Sequence, residues 1–296
     1  PAAAALSSAV NWTDGAALLR GFATFNDVHA TNRHSLPRIS PYDRLPSKAM
    51  SDIRPIVWSL SKMSTGMYLR FTTNATEIFI NHTLAFLSQE LWHMPFSGTD
   101  GLDVYAWSTE DKYWRHLPVT TGIELFPGNN QVNVSGVFSR PQPVTMNGEK
   151  IKNAPWTYLL YLPLRNAPKN IRVGVSSEYL LCSGGRSASS PSTATASTPP
   201  TSCKGVDMAP RFDDKYKKPI VWYGTSIQQG GVASRAGNEY DAIISRTLSV
   251  EIYNFGFAGN GVMELNVAKY LAMTEASVLM IDCLPNMNAS MVLNRT

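Results

Sequence analysis

Pro219-Ile220-Val221-Trp222-Tyr223-Gly224-Thr225-Ser226-Ile227-Gln228-Gln229-Gly230-Gly231 decides how the C-terminal part of this chain reads. An apolar run that ends in glycine, with a hydroxyl residue two positions later, reads as a buried strand feeding a turn and helix. Two later blocks repeat the plan. Asn254-Phe255-Gly256-Phe257-Ala258-Gly259-Asn260-Gly261 closes a strand over 250–255, and Asp282-Cys283-Leu284-Pro285-Asn286-Met287 closes one over 277–284. Between them, 239–248 carries helical spacing through Tyr240, Ile243, Ile244 and Leu248. Residues 262–273 do the same, with Val267, Tyr270 and Leu271 on one face. Strand, helix, strand, helix, strand implies right-handed crossovers and a parallel sheet.

Reactive groups of an open parallel sheet gather where its strands end. Ser226 stands at the end of the first strand, Gly259 at the end of the second and Asn286 at the end of the third. A serine hydroxyl at such a turn is exposed, and its own N–H lies where negative charge is favoured. Glycine lets the backbone approach a bound group and offer its N–H. An asparagine amide can donate to a developing oxyanion. Taken singly, Ser226 reads as an N-cap, Gly259 as a turn glycine and Asn286 as a turn or cap residue. Their order and spacing together favour a nucleophile facing an oxyanion hole. The Gly-x-Ser-x-Gly elbow of the α/β-hydrolases is absent, because Gln228 takes its last place.

Upstream the pattern changes. Residues 67–72, 76–82, 102–107, 131–134 and 170–175 alternate in strand fashion, and Trp156 to Leu162 is an apolar run stopped by Pro163. Turn-forming clusters separate them at hairpin-like spacing, so an antiparallel β-sandwich is expected over 42–178. Residues 1–41 form a mixed N-terminal segment with a short helix expected near 15–25. Residues 179–215 read as a loop and linker, and 216–296 as the parallel α/β part. The run from 183 to 202 is low-complexity Ser, Thr, Pro and Ala, with too little apolar surface to offset its chain entropy.

Bulk properties narrow the function classes. Net charge is only +4, and the basic residues between Lys204 and Lys218 are interrupted by Asp207, Asp213 and Asp214, so a nucleic-acid partner is not expected. No apolar stretch approaches the about 18 residues of a membrane span. Asn-x-Ser/Thr occurs at Asn11, Asn74, Asn81, Asn133, Asn288 and Asn294, which points to a secreted or extracellular glycoprotein. Cys182 and Cys203 bracket the Ser/Thr-rich loop, and a disulfide between them would stabilise by about 3 kcal/mol in the chain-entropy model. Cys283 is left over and reads as a buried small hydrophobe, with a free reactive thiol or an intermolecular bridge as the alternatives. Trp58, Trp107, Trp114 and Trp156 offer either core packing or a sugar-stacking platform.

These residues resemble the SGNH (GDSL-type) hydrolase family. Tyr-Gly-Thr-Ser-Ile at 223–227 matches its first block, with Thr225 in place of the usual Asp; Asn254 to Asn260 matches the second and Asp282 to Met287 the third. Gly101-Leu102-Asp103-Val104-Tyr105 is similar to the Gly-x-Asp-Leu-Tyr signature of the β-sandwich that precedes the hydrolase part in one SGNH subgroup, and Tyr158 to Leu164 is similar to the same unit. The resemblance implies a β-sandwich followed by an incomplete α/β, flavodoxin-like hydrolase part. It implies Ser226 as nucleophile, and the N–H groups of Ser226 and Gly259 with the Asn286 side chain as oxyanion hole. It also implies hydrolysis of an ester, often of an acylated sugar or lipid, with no metal or organic cofactor.

One block of that family is missing. Its Asp-x-x-His supplies the general base. Here His29, His34, His82, His93 and His116 all lie upstream, and none follows an Asp by three residues. The stretch 216–296 is also short for a whole parallel domain. Three readings follow: a partial sequence, a second chain or neighbouring subunit that completes the sheet, or a non-catalytic structural, filament-forming glycoprotein that reuses the fold.

Overall fold

The computed structural model describes residues 10–26, 35–87, 91–108, 111–126, 131–139, 155–183, 209–212 and 218–295. His29, His34, Cys203, nearly all of the Ser/Thr-rich run and the side chain of Asn133 lie outside the described residues, and so does the expected Cys182–Cys203 bridge.

The upstream strands are β1 (Val10–Asp14), β2 (Leu19–Arg20), β3 (Tyr68–Thr73), β4 (Glu77–Thr83), β5 (Asp103–Ser108), β6 (Tyr113–Leu117), β7 (Thr120–Phe126), β8 (Gln131–Ser139), β9 (Trp156–Tyr161), β10 (Arg172–Ser176) and β11 (Leu181–Ser183). Short helices α1 (Ala49–Asp52) and α2 (Pro55–Ser61) fall between β2 and β3, and α3 (Phe96–Thr99) falls between β4 and β5. The downstream order is β12 (Ile220–Gly224), α4 (Tyr240–Leu248), β13 (Ile252–Gly256), α5 (Leu265–Leu271), β14 (Val278–Asp282) and α6 (Ala289–Arg295).

One antiparallel sheet runs β1-β10-β4-β8-β7, and a second runs β11-β3-β9-β5-β6 with β2 paired to β3. Residues of both sheets share one core, in which Ile78, Ile80, Val173 and Val175 from the first meet Leu69, Phe71, Val104 and Leu160 from the second. Alternation in β4 follows from this, since Ile78, Ile80 and His82 point inward while Phe79 and Asn81 are half-buried. His82 is buried, and desolvation pulls its imidazole down to about 4. β9 reads as an unbroken apolar run because both its faces are covered. Tyr158 and Leu160 enter the core shared by the two sheets; Leu159 and Tyr161 pack on the opposite side with Phe212, Ala236 and Ala242. Register is reinforced by the cross-strand Thr72–Thr157 hydroxyl pair at 3.0 Å and by Phe71 stacked on Tyr158.

The downstream sheet has the order β13-β12-β14, parallel throughout, with Gly224 level with both Gly256 and Asp282. α5 buries Val267, Tyr270 and Leu271, the face its periodicity predicts. α4 does not follow its apolar spacing. Its buried residues are Asp241, Ala242 and Ser245, whereas Ile243 and Leu248 are exposed. The inner side of α4 meets polar side chains, Gln228 and Asn254, rather than an aliphatic surface.

The expected helix near 15–25 is instead a one-turn 3-10 segment, Gly15–Leu18, capped by the Asp14 carboxylate and followed by β2. α1 and α2 were not legible as helices, and they pack on the parallel sheet. Leu45, Ala49, Ile53, Val57 and Leu60 share a core with Val221, Tyr223, Phe255 and Cys283. All four tryptophans considered as a sugar platform are half-buried or buried. Trp114 packs edge-on against Trp107, Trp156 lies against the shared core, and Lys62 Nζ sits 3.9 Å over the Trp58 ring.

Arg44 ties the N-terminal segment to the parallel sheet. It is 3% exposed, and its guanidinium donates to the carbonyls of Gly256 (2.7 Å), Asn254 (3.2 Å), Leu60 (2.7 Å) and Met63 (2.9 Å). Removing it strands several buried acceptors at once. Arg44→Ala is therefore expected to lower the unfolding free energy by about 3–5 kcal/mol, measured by urea denaturation; a loss below about 1 kcal/mol would contradict this account.

Candidate active site

Three strand ends define one rim. Ser226 lies two residues beyond the end of central β12, Gly259 three beyond β13 and Asn286 four beyond β14. All three sequence-predicted residues are thus carried by loops at the C-terminal edge of the same parallel sheet, where adjacent strands run about 4.8 Å apart.

The serine turn is held locally. Thr225 is buried; its hydroxyl accepts from Ile227 N (3.2 Å) and its carbonyl from Gln229 N (3.1 Å). The Ser226 carbonyl accepts from Gly231 N at 2.7 Å, which closes the turn. Ser226 itself is half-buried beside exposed Ile227, and no described residue is hydrogen-bonded to its hydroxyl. Of the described histidines, His82 is buried in β4, His93 is exposed beside Trp92, and His116 pairs with Asp103, so none serves as its base.

Gly259 has φ +66°, a left-handed conformation that glycine adopts at no steric cost, and it faces open space. Its loop is fixed from three sides. Phe257 N donates to the Gly224 carbonyl (3.0 Å), and Ala258 N donates to Gln229 Oε1 (2.9 Å). Arg54 donates to Asn260 Oδ1 (2.9 Å) and pairs with Glu264 at 2.5 Å. Gln229 therefore joins the serine turn to the glycine loop.

Asn286 ends a one-turn 3-10 segment, Leu284–Asn286, that begins around Pro285, and its N–H donates to the Cys283 carbonyl at 3.0 Å. Its side-chain Nδ2 is buried and has no hydrogen-bond partner among the described residues. Buried amide donors are nearly always satisfied, so this donor is free to meet an acceptor brought to the rim.

Behind the serine turn lies a buried polar network that sequence reading did not find. Asn254 Nδ2 donates to the Gln228 carbonyl (2.6 Å), to Asp241 Oδ2 (2.8 Å) and to Glu239 Oε2 (3.2 Å). Gln228 donates to Asp241 and accepts from Tyr240 OH through its side chain. Burial pushes Asp241 up to about 8, against the hydrogen bonds from Asn254 and Gln228. Burial and then the Asp241 charge raise Glu239, outweighing the Arg44 and Arg246 cations. The sequence held two signals of this network: Asn254 interrupts an otherwise apolar strand, and the pair Gln228-Gln229 begins two residues after the serine.

The family model for the N-terminus of SGNH-hydrolase-type esterases, the GxDLY unit, matches residues 24–181, more than half of the chain. The chain belongs to the SGNH-type, GDSL-like esterase family. The GDSL-like lipase/acylhydrolase model matches residues 217–296. Among solved structures, a protein from Bacteroides ovatus described as a GDSL-like lipase is 26% identical, with a TM-score of 0.70 over 97% of this chain and 68% of its own. The salicylyl-acyltransferase SsfX3 of a tetracycline biosynthetic pathway is 15% identical with a TM-score of 0.50, covering 91% of this chain and 60% of its own, and shares the fold. No curated protein matches the chain.

The raised carboxyls set a pH dependence. Unfolding returns Asp241 to an ordinary carboxylate, so the folded state binds more protons between the two values. Its favourable contribution is complete below the unfolded value and is lost as pH rises towards about 8. Stability is expected to fall from pH 5 to pH 8 at up to about 1 kcal/mol per unit, and Asp241→Asn should flatten that slope. Thermal melts across the range test it; a parent whose melting point rises over that interval excludes a buried protonated pair.

Proposed function

We propose that this chain carries the nucleophile and oxyanion hole of a secreted serine ester hydrolase acting on an acyl ester, of a sugar or a lipid. The orphaned, buried Asn286 Nδ2 on the same sheet edge as Ser226 carries the reading. Ser226 Oγ attacks the ester carbonyl carbon. Negative charge then moves to the carbonyl oxygen, which accepts from the N–H groups of Ser226 and Gly259 and from Asn286. Collapse of the tetrahedral adduct expels the alcohol, which takes the proton lost by the serine, and water repeats the sequence to free the acid. The acyl group and its enzyme ester need no metal or organic cofactor.

The base that takes the serine proton is assigned to an Asp-x-x-His segment outside these residues, in a C-terminal continuation or a neighbouring subunit. β14 supports this arrangement. It is an edge strand, and Val278 (48%), Leu279 (51%) and Ile281 (49%) are exposed, leaving apolar surface for a further element. The two antiparallel sheets are taken as one β-sandwich, an N-terminal domain beside the hydrolase domain. The exposed sequons at Asn11, Asn288 and Asn294 suit glycosylation, and Cys182 with Cys203 suits an oxidising compartment. A second reading uses the same open edge: a neighbouring copy pairs there, and the protein builds a non-catalytic filament.

The test uses the protein encoded by the whole natural reading frame and p-nitrophenyl acetate. Ser226→Ala is expected to abolish hydrolysis, and Asn286→Ala to lower kcat by about 10²–10³. A Ser226→Ala protein that matched the parent rate would remove the nucleophile assignment.

A further inference from the structure

The Gly101–Tyr105 signature has no part in the chemistry proposed above, yet its side chains reach the hydrolase half at one point. The backbone of Gly237, in the 3-10 turn Ala236–Asn238, is gripped on both polar groups. Its N–H donates to Asp103 Oδ2 at 3.0 Å. Its carbonyl accepts from Arg246 Nη2 at 2.7 Å and from Tyr105 OH at 3.3 Å. The Arg246 guanidinium lies 3.7 Å over the Tyr105 ring, so the same ring supports the donor that it assists.

Asp103 holds two more partners. Its Oδ2 pairs with Arg235 Nε at 3.2 Å and its Oδ1 with His116 Nε2 at 2.9 Å. It is 2% exposed, whereas the Arg235 and His116 side chains each keep part of their surface in solvent. Only glycine fits the gripped position. A Cβ at Gly237 would lie 2.8 Å from Asp103 Oδ2 and 2.9 Å from the Tyr161 ring, and would collide with the Tyr105 ring. A second fastening sits three residues before Gly237 in the same loop, where Ser97 Oγ of α3 donates to the Ser234 carbonyl at 2.6 Å.

The gripped turn is continuous with the serine turn. Ser226 is closed by Gly231 N, Gly230 accepts from Ala233 N at 3.1 Å, and Arg235 accepts from Asn238 N at 3.0 Å. Beyond the grip, Asp241 holds Gln228 through its side chain. The segment that follows Ser226 is thus held twice, by a side-chain staple at Gln228 and by a backbone staple at Gly237, and the backbone staple is supplied by β5.

We propose that Asp103 and Tyr105 are positioning residues that clasp the Gly237 backbone and the Arg235 side chain and thereby hold the Ser226 turn in its reactive geometry. The signature is then a device of the β-sheet half acting on the nucleophile of the other half. This rests on the proposed esterase reading for its catalytic consequence, but the clasp itself does not.

The experiment compares Asp103→Asn, Tyr105→Phe and Gly237→Ala with the parent, using the protein encoded by the whole reading frame. Backbone hydrogen exchange is followed together with kcat and KM on p-nitrophenyl acetate. Asp103→Asn and Gly237→Ala attack the clasp from opposite sides and are expected to give one signature: amides across 226–238 exchange at least about ten-fold faster while β3 and β9 are unchanged. Hydrolysis is expected to lose about 10- to 100-fold in kcat with KM nearly constant. Tyr105→Phe, which keeps the ring beneath Arg246, should show the same pattern more weakly and remains available if a stronger variant does not fold. Unchanged exchange over 226–238, an increase spread evenly over all strands, or an active enzyme whose kcat is unaffected would overturn the proposal. If the parent hydrolyses nothing, the esterase reading fails by itself, and the exchange pattern still decides whether the clasp exists.

Discussion

A buried guanidinium ties the segment before the first helices to the end of β13. Arg44 comes from the segment before the helices at 49–61, and its donors end on the carbonyls at the close of β13 and of α2. Desolvating a charge is costly, and it is tolerated here because every direction of the planar fork meets an acceptor. The Phe257 ring covers the same group at 4.9 Å. The glycine loop begins at that ring, so the position of Gly259 depends on an arginine more than two hundred residues earlier.

The rim carrying Ser226, Gly259 and Asn286 is polar behind and open in front. The polar backing is the Gln228, Asn254, Asp241 and Glu239 network, in which neutral amides separate two carboxyls that burial keeps protonated more readily than in water. Such a network is rigid only when its members are satisfied together. Its connection to the serine runs through Gln228, two residues away, and its connection to the glycine loop runs through Gln229. Two adjacent glutamines thus divide the work: one anchors the turn to α4, the other aligns it with its neighbour.

Much of this was legible in the sequence. Parallel strands over 220–224, 252–256 and 278–282 follow from apolar runs ended by glycine or aspartate, and the antiparallel strands from period-2 alternation. The signature at 101–105 and the three C-terminal blocks located the family and the rim. Other features were not legible, for identifiable reasons. α1 and α2 are short, and their apolar residues serve the parallel sheet far along the chain, so no local pattern announced them. α4 misled because its inner face carries Asp241, Ala242 and Ser245, a choice that makes sense only beside Asn254 and Tyr105. Arg44 looked like an ordinary charged residue, since nothing local distinguishes a buried ion from a solvated one.

By itself, then, the sequence determined the kinds of element, the three residues at strand ends and the family, because hydrophobic period, glycine placement and short motifs are local and need only neighbours a few positions away. Tertiary structure alone decided that Asn286 Nδ2 has no partner among the described residues, that Gly237 is gripped from β5, and that the N-terminal helices cover the parallel sheet. Those facts are set by distances between segments separated by a hundred residues or more, and burial of polar atoms exists only once both sides have closed over them.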